Sequence, residues 1–235
     1  IGAASLIRHA LVERLSQDPK APLHELAAAI QTAVFQSTRT AELVGREIAS
    51  RLGADFGSVD VSLAPTRRPD DSVAALLTLL GIEQVGAPGT ATALTLILNA
   101  VRAGAAFASC AAGGYSRIML SVLEDSSLAA ATKSKELTFD QLCMAANAGS
   151  GGLDLVSLPG DTDVATLAAI ISDQVSFAVL NHRPVAIRII PVPGKRAGEG
   201  VTYSGMMNDA VILPIRGTGL SKSFIERGGR LPPVR

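Results

Sequence analysis

The sequence predicts an α/β fold organised around a largely parallel sheet, and three observations carry that prediction. Past Gly53, short β-branched runs alternate with Ala/Leu-rich amphipathic runs, the signature of βα units. The chain has 235 residues, 48% of them hydrophobic and 18% charged, which is ample apolar material for a core. Aromatics supply only 3% and Trp is absent, so that core must be built from Ala, Val, Ile and Leu. No Pro/Ser linker or low-complexity tract divides the chain, and a single α/β domain over residues 1–235 is expected.

The first fifty residues read as helix. Leu26, Ile30, Val34, Ala41, Val44 and Ile48 fall near helical spacing, Pro22 suits a first helical turn, and Gly53 suits the end. Strands are expected at Val59–Leu63, Ile118–Leu123, Leu153–Leu158, Val185–Ile190 and Val211–Ile215. Helices are expected at Ser72–Leu80, Thr90–Arg102, Thr138–Ala148 and Val164–Leu180. One echo links two units. Val59-Asp60-Val61-Ser62-Leu63-Ala64-Pro65 leads to Asp70-Asp71-Ser72 and an apolar helix, and Leu153-Asp154-Leu155-Val156-Ser157-Leu158-Pro159 leads to Asp161-Thr162-Asp163 and another. Internal duplication and the ordinary grammar of strand, turn, N-cap and helix both account for it.

Composition excludes several classes. With 21 basic and 21 acidic side chains the formal net charge is zero, against a nucleic-acid footprint. Two cysteines, Cys110 and Cys143, and three histidines give no disulfide framework and no zinc-ligand spacing, so no metal is assigned, no cofactor can be named, and a reducing cytoplasm is expected. The start, Ile1-Gly2-Ala3, has no initiator Met and no signal-peptide shape, and reads as a piece of something longer. The most apolar span, Ala91 to Val101, runs into Arg102 well short of the ~20 residues a membrane helix needs, so no membrane partner is expected.

The most pointed feature is charge inside apolar strands. Asp60 and Asp154 occupy matching positions in the echo, and Arg188 sits likewise in Ala186-Ile187-Arg188-Ile189-Ile190. A covered parallel strand normally reads as continuous Val, Ile and Leu. An unpaired carboxylate there costs several kcal/mol, so it must find a cation, strong donors or water. The three are expected to meet in one polar lumen, as a site or as a buried ion-pair network that fixes strand order. Pro-Gly turns form a second set. Gly89 and Thr90 open one helix, Asp161 follows Pro159-Gly160, and Lys195 follows Pro193-Gly194 after the Arg188 strand. Such turns let backbone approach a ligand and aim free N–H groups at anions, or are simply turns. Glu124-Asp125 reads as a cation-binding or acid/base pair, or as a helix cap. Ser109-Cys110 opens a small-residue loop in which the thiol reads as buried and inert, and Cys143 reads as core packing. Arg227, in Glu226-Arg227-Gly228-Gly229-Arg230, reads as a carboxylate- or phosphate-binding turn or an exposed tail.

Several of these runs resemble one family. Val59-Asp60-Val61-Ser62-Leu63-Ala64-Pro65 with Asp71-Ser72-Val73-Ala74, Gly86-Ala87-Pro88-Gly89-Thr90, Leu153-Asp154 with Pro159-Gly160-Asp161-Thr162, Arg188-Ile189-Ile190-Pro191-Val192-Pro193-Gly194-Lys195, and Phe224-Ile225-Glu226-Arg227-Gly228-Gly229-Arg230 are similar, in order, to the DUF711 or UPF0210 family of uncharacterised proteins. The resemblance runs in order from about Val59 to the C-terminus, the helical start resembles the family's middle region, and together they imply that this chain is the C-terminal part of a longer protein. It further implies an α/β barrel of the pyruvate formate-lyase-like kind, with Ala/Leu-rich helices outside and a long N-terminal helix. Glycyl radical chemistry would require a radical glycine facing a thiyl cysteine. Gly228 and Gly229 with Cys110 offer only a superficial counterpart, because the Arg-Gly-Gly-Arg setting lacks the expected Val-x-Gly-Tyr character.

The functional expectation is an enzyme acting on a small anionic metabolite, a carboxylate or phosphate, without a glycyl radical. Asp60, Asp154 and Glu124 are the candidate catalytic carboxylates. Gly89, Thr90, Ser109, Asp161, Arg188, Lys195 and Arg227 are the candidate ligand-binding residues. A non-catalytic metabolite-binding or structural role is the alternative. A half-barrel exposes sheet edges, so pairing with a second copy or with the rest of the protein is expected.

Overall fold

The computed structural model describes residues 3–113, 115–148 and 150–229. Two helices open the chain, α1 (Ala4–Gln17) and α2 (Leu23–Leu52). The continuous helix expected over the first fifty residues is thus interrupted by Asp18–Pro22, because Pro22 lacks an N–H and stands as an extended N-cap. Gly53 ends α2 with φ 64°, a conformation that costs a side-chain-bearing residue more. The remaining elements follow in order: β1 (Val59–Asp60), α3 (Val73–Leu79), α4 (Thr90–Ala108), β2 (Ala112–Gly113), β3 (Ile118–Ser121), α5 (Ser126–Lys133), α6 (Phe139–Ala148), β4 (Ser150–Asp154), β5 (Val156–Pro159), α7 (Val164–Leu180), β6 (Ile189–Val192), β7 (Gly200–Val201), β8 (Ala210–Val211) and α8 (Lys222–Ile225).

The strands are short but lie on parallel paths placed side by side in chain order. β1 pairs with β2, and Leu63 bridges Ile118 in the same direction, so residues 59–63 run beside 112–118. β3 pairs with β4, and β5 pairs with β6. Arg188 donates its N–H to the Leu153 carbonyl and its carbonyl accepts from Val156, which carries the last pairing back onto β4. Sequential parallel order is what right-handed βα connections produce when each helix returns the chain to the next position. Among the described residues the first and last paths do not pair with each other, so no closed barrel is formed; the antiparallel β7–β8 pair stands apart. The expected strand Leu153–Leu158 is divided into β4 and β5 at Leu155, whose φ is 44°. The expected strand Val211–Ile215 shrinks to the β8 pairing.

The core lies between these strands and the helices. Leu63, Ile118, Leu120, Leu153, Val156 and Leu158 come from the strand paths, and Ile30, Val34, Leu94, Ile97, Leu98 and Val101 from α2 and α4. Each such side chain contributes about 1.5–3 kcal/mol on leaving water. Gly104 allows α2 and α4 to approach closely: a Cβ there would lie 2.5 Å from the Gln31 carbonyl oxygen. By length and composition α4 is apolar enough to cross a membrane, but about half of it is buried within this core.

Candidate functional site

Arg188 and the C-terminal ends of β3 and β4 form an ionic cluster. Asp154 closes β4 and is 1% exposed, while the Arg188 side chain is 51% exposed. The guanidinium grips the carboxylate with two bonds, Nε to Oδ1 and Nη2 to Oδ2, the latter 2.8 Å. This two-pronged geometry is the strong form of an ion pair. Hydrogen bonding to Asp154 raises the Arg188 pKa despite partial burial, and Glu124 adds to the effect. Glu124 lies three residues beyond β3, 3.4 Å from Arg188 Nη2, and accepts a 3.0 Å bond from the buried Ser121 hydroxyl. One guanidinium therefore faces two carboxylates, and the Arg188 Nη1 edge is not used in either pairing.

Local structure explains why these groups meet. Val122 donates its N–H to the Asp154 carbonyl, so the end of β3 stays in register with the end of β4. Leu155 then takes a left-handed conformation, uncommon for a bulky residue and costly by about 1 kcal/mol or more. Asn208 donates from both its backbone N and Nδ2 to the Leu123 carbonyl, fastening the segment before β8 over the strand ends. Leu123, Leu155 and Ala210 form a small apolar cap with Ile190, Tyr203 and Met207, and the Tyr203 hydroxyl lies 2.9 Å from Ser157 Oγ.

Asp60 does not join this cluster. It stands three residues before Leu63, which pairs with Ile118, whereas Asp154 pairs with Ser121, three residues after Ile118. Six strand steps separate the two carboxylates, about 20 Å along the sheet. Asp60 instead accepts backbone N–H bonds from Ser62 at 2.7 Å, Tyr115 at 2.7 Å and Ser116 at 3.3 Å. Burial works to raise its pKa, but the Ser62 hydroxyl and these amides outweigh it and hold the carboxyl below its usual value of 3.8. The single lumen expected for Asp60, Asp154 and Arg188 is therefore replaced by two separate polar positions, because register places them at different heights.

The other sequence candidates scatter. Asp125 is fully buried and caps two helices: it accepts from Ser127 and Leu128 at the start of α5, from Val73 and Ala74 at the start of α3, and from the Ser72 hydroxyl at 2.6 Å. This leaves Glu124 alone of that pair to face the cluster. Thr90 is buried, and its hydroxyl is consumed by the Ala87 carbonyl and the Gly86 N–H, while Gly89 at φ 101° forms the turn before α4. Ser109 supports the Ala111 N–H and, with Arg46 and Arg39, holds the Glu42 carboxyl below its ordinary range, tying the end of α4 to α2. In the fold these three positions serve the turn before α4 and the packing at its end. Cys110 is exposed rather than buried, because it lies in the turn after α4, and Cys143 is half-buried.

Asp161 lines a cavity of about 360 Å³ beyond the end of β5, with Thr162, Arg196 and Thr218. Lys195 is exposed and supplies its carbonyl to the Gly160 N–H; its neighbour Arg196, not Lys195, borders the cavity. Gly160 is required there, since a Cβ would lie 2.1 Å from the Val192 carbonyl oxygen. Arg227 is exposed after α8, far in the chain from the cluster, and Arg230 lies outside the described residues. Sequence reasoning missed Ser121, Ser157, Tyr203, Asn208 and Arg196. The lone serines in apolar strands were a readable signal; the other three come from loops and had none.

Comparison with known proteins agrees with the sequence resemblance. The family model described as "Uncharacterised ACR (DUF711)" matches residues 1–204. The chain belongs to the DUF711 family. The match takes in the helical start as well as the strand-bearing part that follows it. Among curated relatives, a UPF0210 protein of Desulforudis audaxviator is 46% identical over 91% of this chain and 47% of its own length. UPF0210 proteins of Oleidesulfovibrio alaskensis (41% identical, covering 94% of this chain and 48% of the relative) and Methanosarcina barkeri (42%, covering 89% and 46%) are similar. This DUF711 chain spans about half the length of the curated relatives it matches.

Proposed function

We propose that the chain is the substrate-binding part of a cytoplasmic α/β enzyme that takes a small anionic metabolite at the C-terminal strand ends, without glycyl radical chemistry. The observation that carries this is the asymmetry of the Asp154–Arg188 pair. Asp154 is buried and gripped through both carboxylate oxygens, whereas Arg188 is half exposed and, among the described residues, its Nη1 edge takes part in neither carboxylate pairing. A buried carboxylate that clamps an exposed guanidinium fixes the donor fork for a ligand carboxylate or phosphate. In α/β sheets, ligands gather at this end of the strands.

Charge arithmetic refines the substrate class. Asp154, Glu124 and Arg188 together carry one surplus negative charge at neutral pH, so an anionic group alone is poorly matched. A metabolite that places a carboxylate or phosphate on Arg188 and a hydroxyl or ammonium against Glu124 satisfies both. Glu124 would then serve as hydrogen-bond acceptor or base, held by the Ser121 hydroxyl. Leu155 supports the reading, since backbone strain of this kind gathers at functional sites. The unpaired strand edges support association with a second copy or with the rest of a longer protein.

A thermal-shift screen of hydroxy and amino acids and their phosphorylated counterparts tests the proposal. At least one is expected to stabilise the protein, with the effect abolished in Arg188→Met. Glu124→Gln should retain binding and lose turnover; retained binding with no turnover in the wild type would indicate a metabolite-binding protein instead. Failure of every carboxylate and phosphate to stabilise would overturn the reading.

A further inference from the structure

Arg117 immediately precedes β3, at the opposite end of that strand from the Asp154 cluster. It is 4% exposed, yet its Nε and Nη1 groups have no hydrogen-bond partner. Buried arginines are normally paired, because an uncompensated cation away from water costs several kcal/mol. Here the surrounding charges have the same sign. The groups acting on Arg117 are the guanidiniums of Arg102, on α4, and Arg183, just after α7, with the Tyr115 hydroxyl the one group favouring the cation. Burial and those two neighbours all hold its pKa below the ordinary arginine value. Neither Arg102 nor Arg183 forms an ion pair among the described residues.

The position is built rather than accidental. The Arg117 N–H is held by Ser62 Oγ at 3.2 Å, and its carbonyl accepts from Leu63. Tyr115 is anchored on one side by its N–H to Asp60 and on the other by its hydroxyl to the Gly151 carbonyl. The backbone that delivers Arg117 is thus fixed, while its guanidinium is left unsatisfied. Asp60, whose carboxylate is occupied with loop amides, sets this loop rather than serving at the other end of the sheet.

We propose that Arg117, flanked by Arg102 and Arg183, forms a second anion-binding site, selective for a small oxyanion, at the N-terminal end of the strands. A bound carboxylate, sulfate or phosphate supplies the acceptors that the two orphaned N–H groups lack and relieves the repulsion among three cations. The site is four strand steps, about 13 Å, from Asp154 along the sheet, so it is distinct from the Arg188 cluster.

The test is a thermal-shift titration of the full chain with inorganic phosphate, sulfate and acetate against chloride at matched ionic strength. The expected result is a saturable rise in Tm with at least one of the three, present in the wild type and in Arg188→Met, and absent in Arg117→Met. Sulfate and phosphate also stabilise proteins by exclusion from the surface, an effect Arg117→Met retains and which is therefore subtracted. Should Arg117→Met fail to fold, Arg102→Gln and Arg183→Gln, on more exposed side chains, are expected to weaken apparent affinity roughly fivefold each, about 1 kcal/mol. A wild-type response no greater than chloride, or one unchanged in all three arginine variants, overturns the proposal.

Discussion

Asp60 shows how much a single carboxylate depends on where its strand places it. Its folded pKa is depressed, so the folded state holds its proton less tightly than the unfolded chain. Its contribution to stability is complete above the unfolded value near 3.8 and disappears as pH falls through the lower folded value. Asp60→Asn is therefore expected to be less stable than wild type at pH 7 and to lose less stability between about pH 5 and pH 2, measured by urea unfolding across that range. An unchanged acid limb would show that the loop amides do not hold the charge. The two cysteines divide by the same logic of environment. Burial, reinforced by Asp140 and Asp173, pushes the Cys143 thiol up to about 12, whereas Cys110 is exposed. Since the thiolate is the nucleophile, iodoacetamide at pH 8 should label Cys110 first and leave Cys143 largely unmodified in the native protein, as read by peptide mass spectrometry. Equal labelling would contradict the packing around α6.

Elements are held together by a few shared residues. Asp125 serves two helices at once, so Asp125→Ala removes the α5 cap together with the bonds to the Val73 and Ala74 N–H groups at the start of α3, and leaves the buried Ser72 hydroxyl to donate to Ser127 Oγ instead. A single cap is worth about 1 kcal/mol, and the pair with its buried environment predicts a loss of about 2–4 kcal/mol by chemical denaturation. A loss no larger than one exposed cap would show the α3 bonds to be dispensable. Gly104 poses an opposing pair of effects. Alanine in a helix interior gains about 1 kcal/mol over glycine, but its Cβ would stand 2.5 Å from the Gln31 carbonyl. Backbone cannot yield cheaply there, so overpacking of about 1–3 kcal/mol wins and Gly104→Ala is expected to lower Tm. A rise in Tm would mean that α2 and α4 can separate without cost.

Across the whole molecule, register decides which charges communicate. Asp60 and Asp154 lie about 20 Å apart along parallel paths, and groups so separated act independently. The stability losses of Asp60→Asn and Asp154→Asn should add to within about 0.5 kcal/mol in the double variant, measured by urea unfolding. A larger coupling energy would reunite them in one cluster. A separation of about 13 Å likewise lets the sheet keep an anionic excess around Asp154 and Glu124 and a cationic cluster around Arg117.

Much of this was legible along the chain. Val164–Leu180 and the Pro22 and Gly53 limits follow from apolar period, cap and breaker chemistry, which act within a few residues. Asp154 and Arg188 stood out because charge in an aliphatic strand demands a partner, and the pairing satisfied that demand. The parts that depended on height in the sheet were not legible. Nothing local to Asp60 shows that Leu63 pairs with Ile118, and nothing local to Arg117 shows that its guanidinium is buried beside two others. Sequence alone determined most of the long helices, the family and the presence of ionised groups among the apolar strands. Tertiary structure decided which of those groups meet, because strand register and loop closure are set by contacts between residues distant in the chain, and a shift of a few residues moves a carboxylate from one end of the sheet to the other.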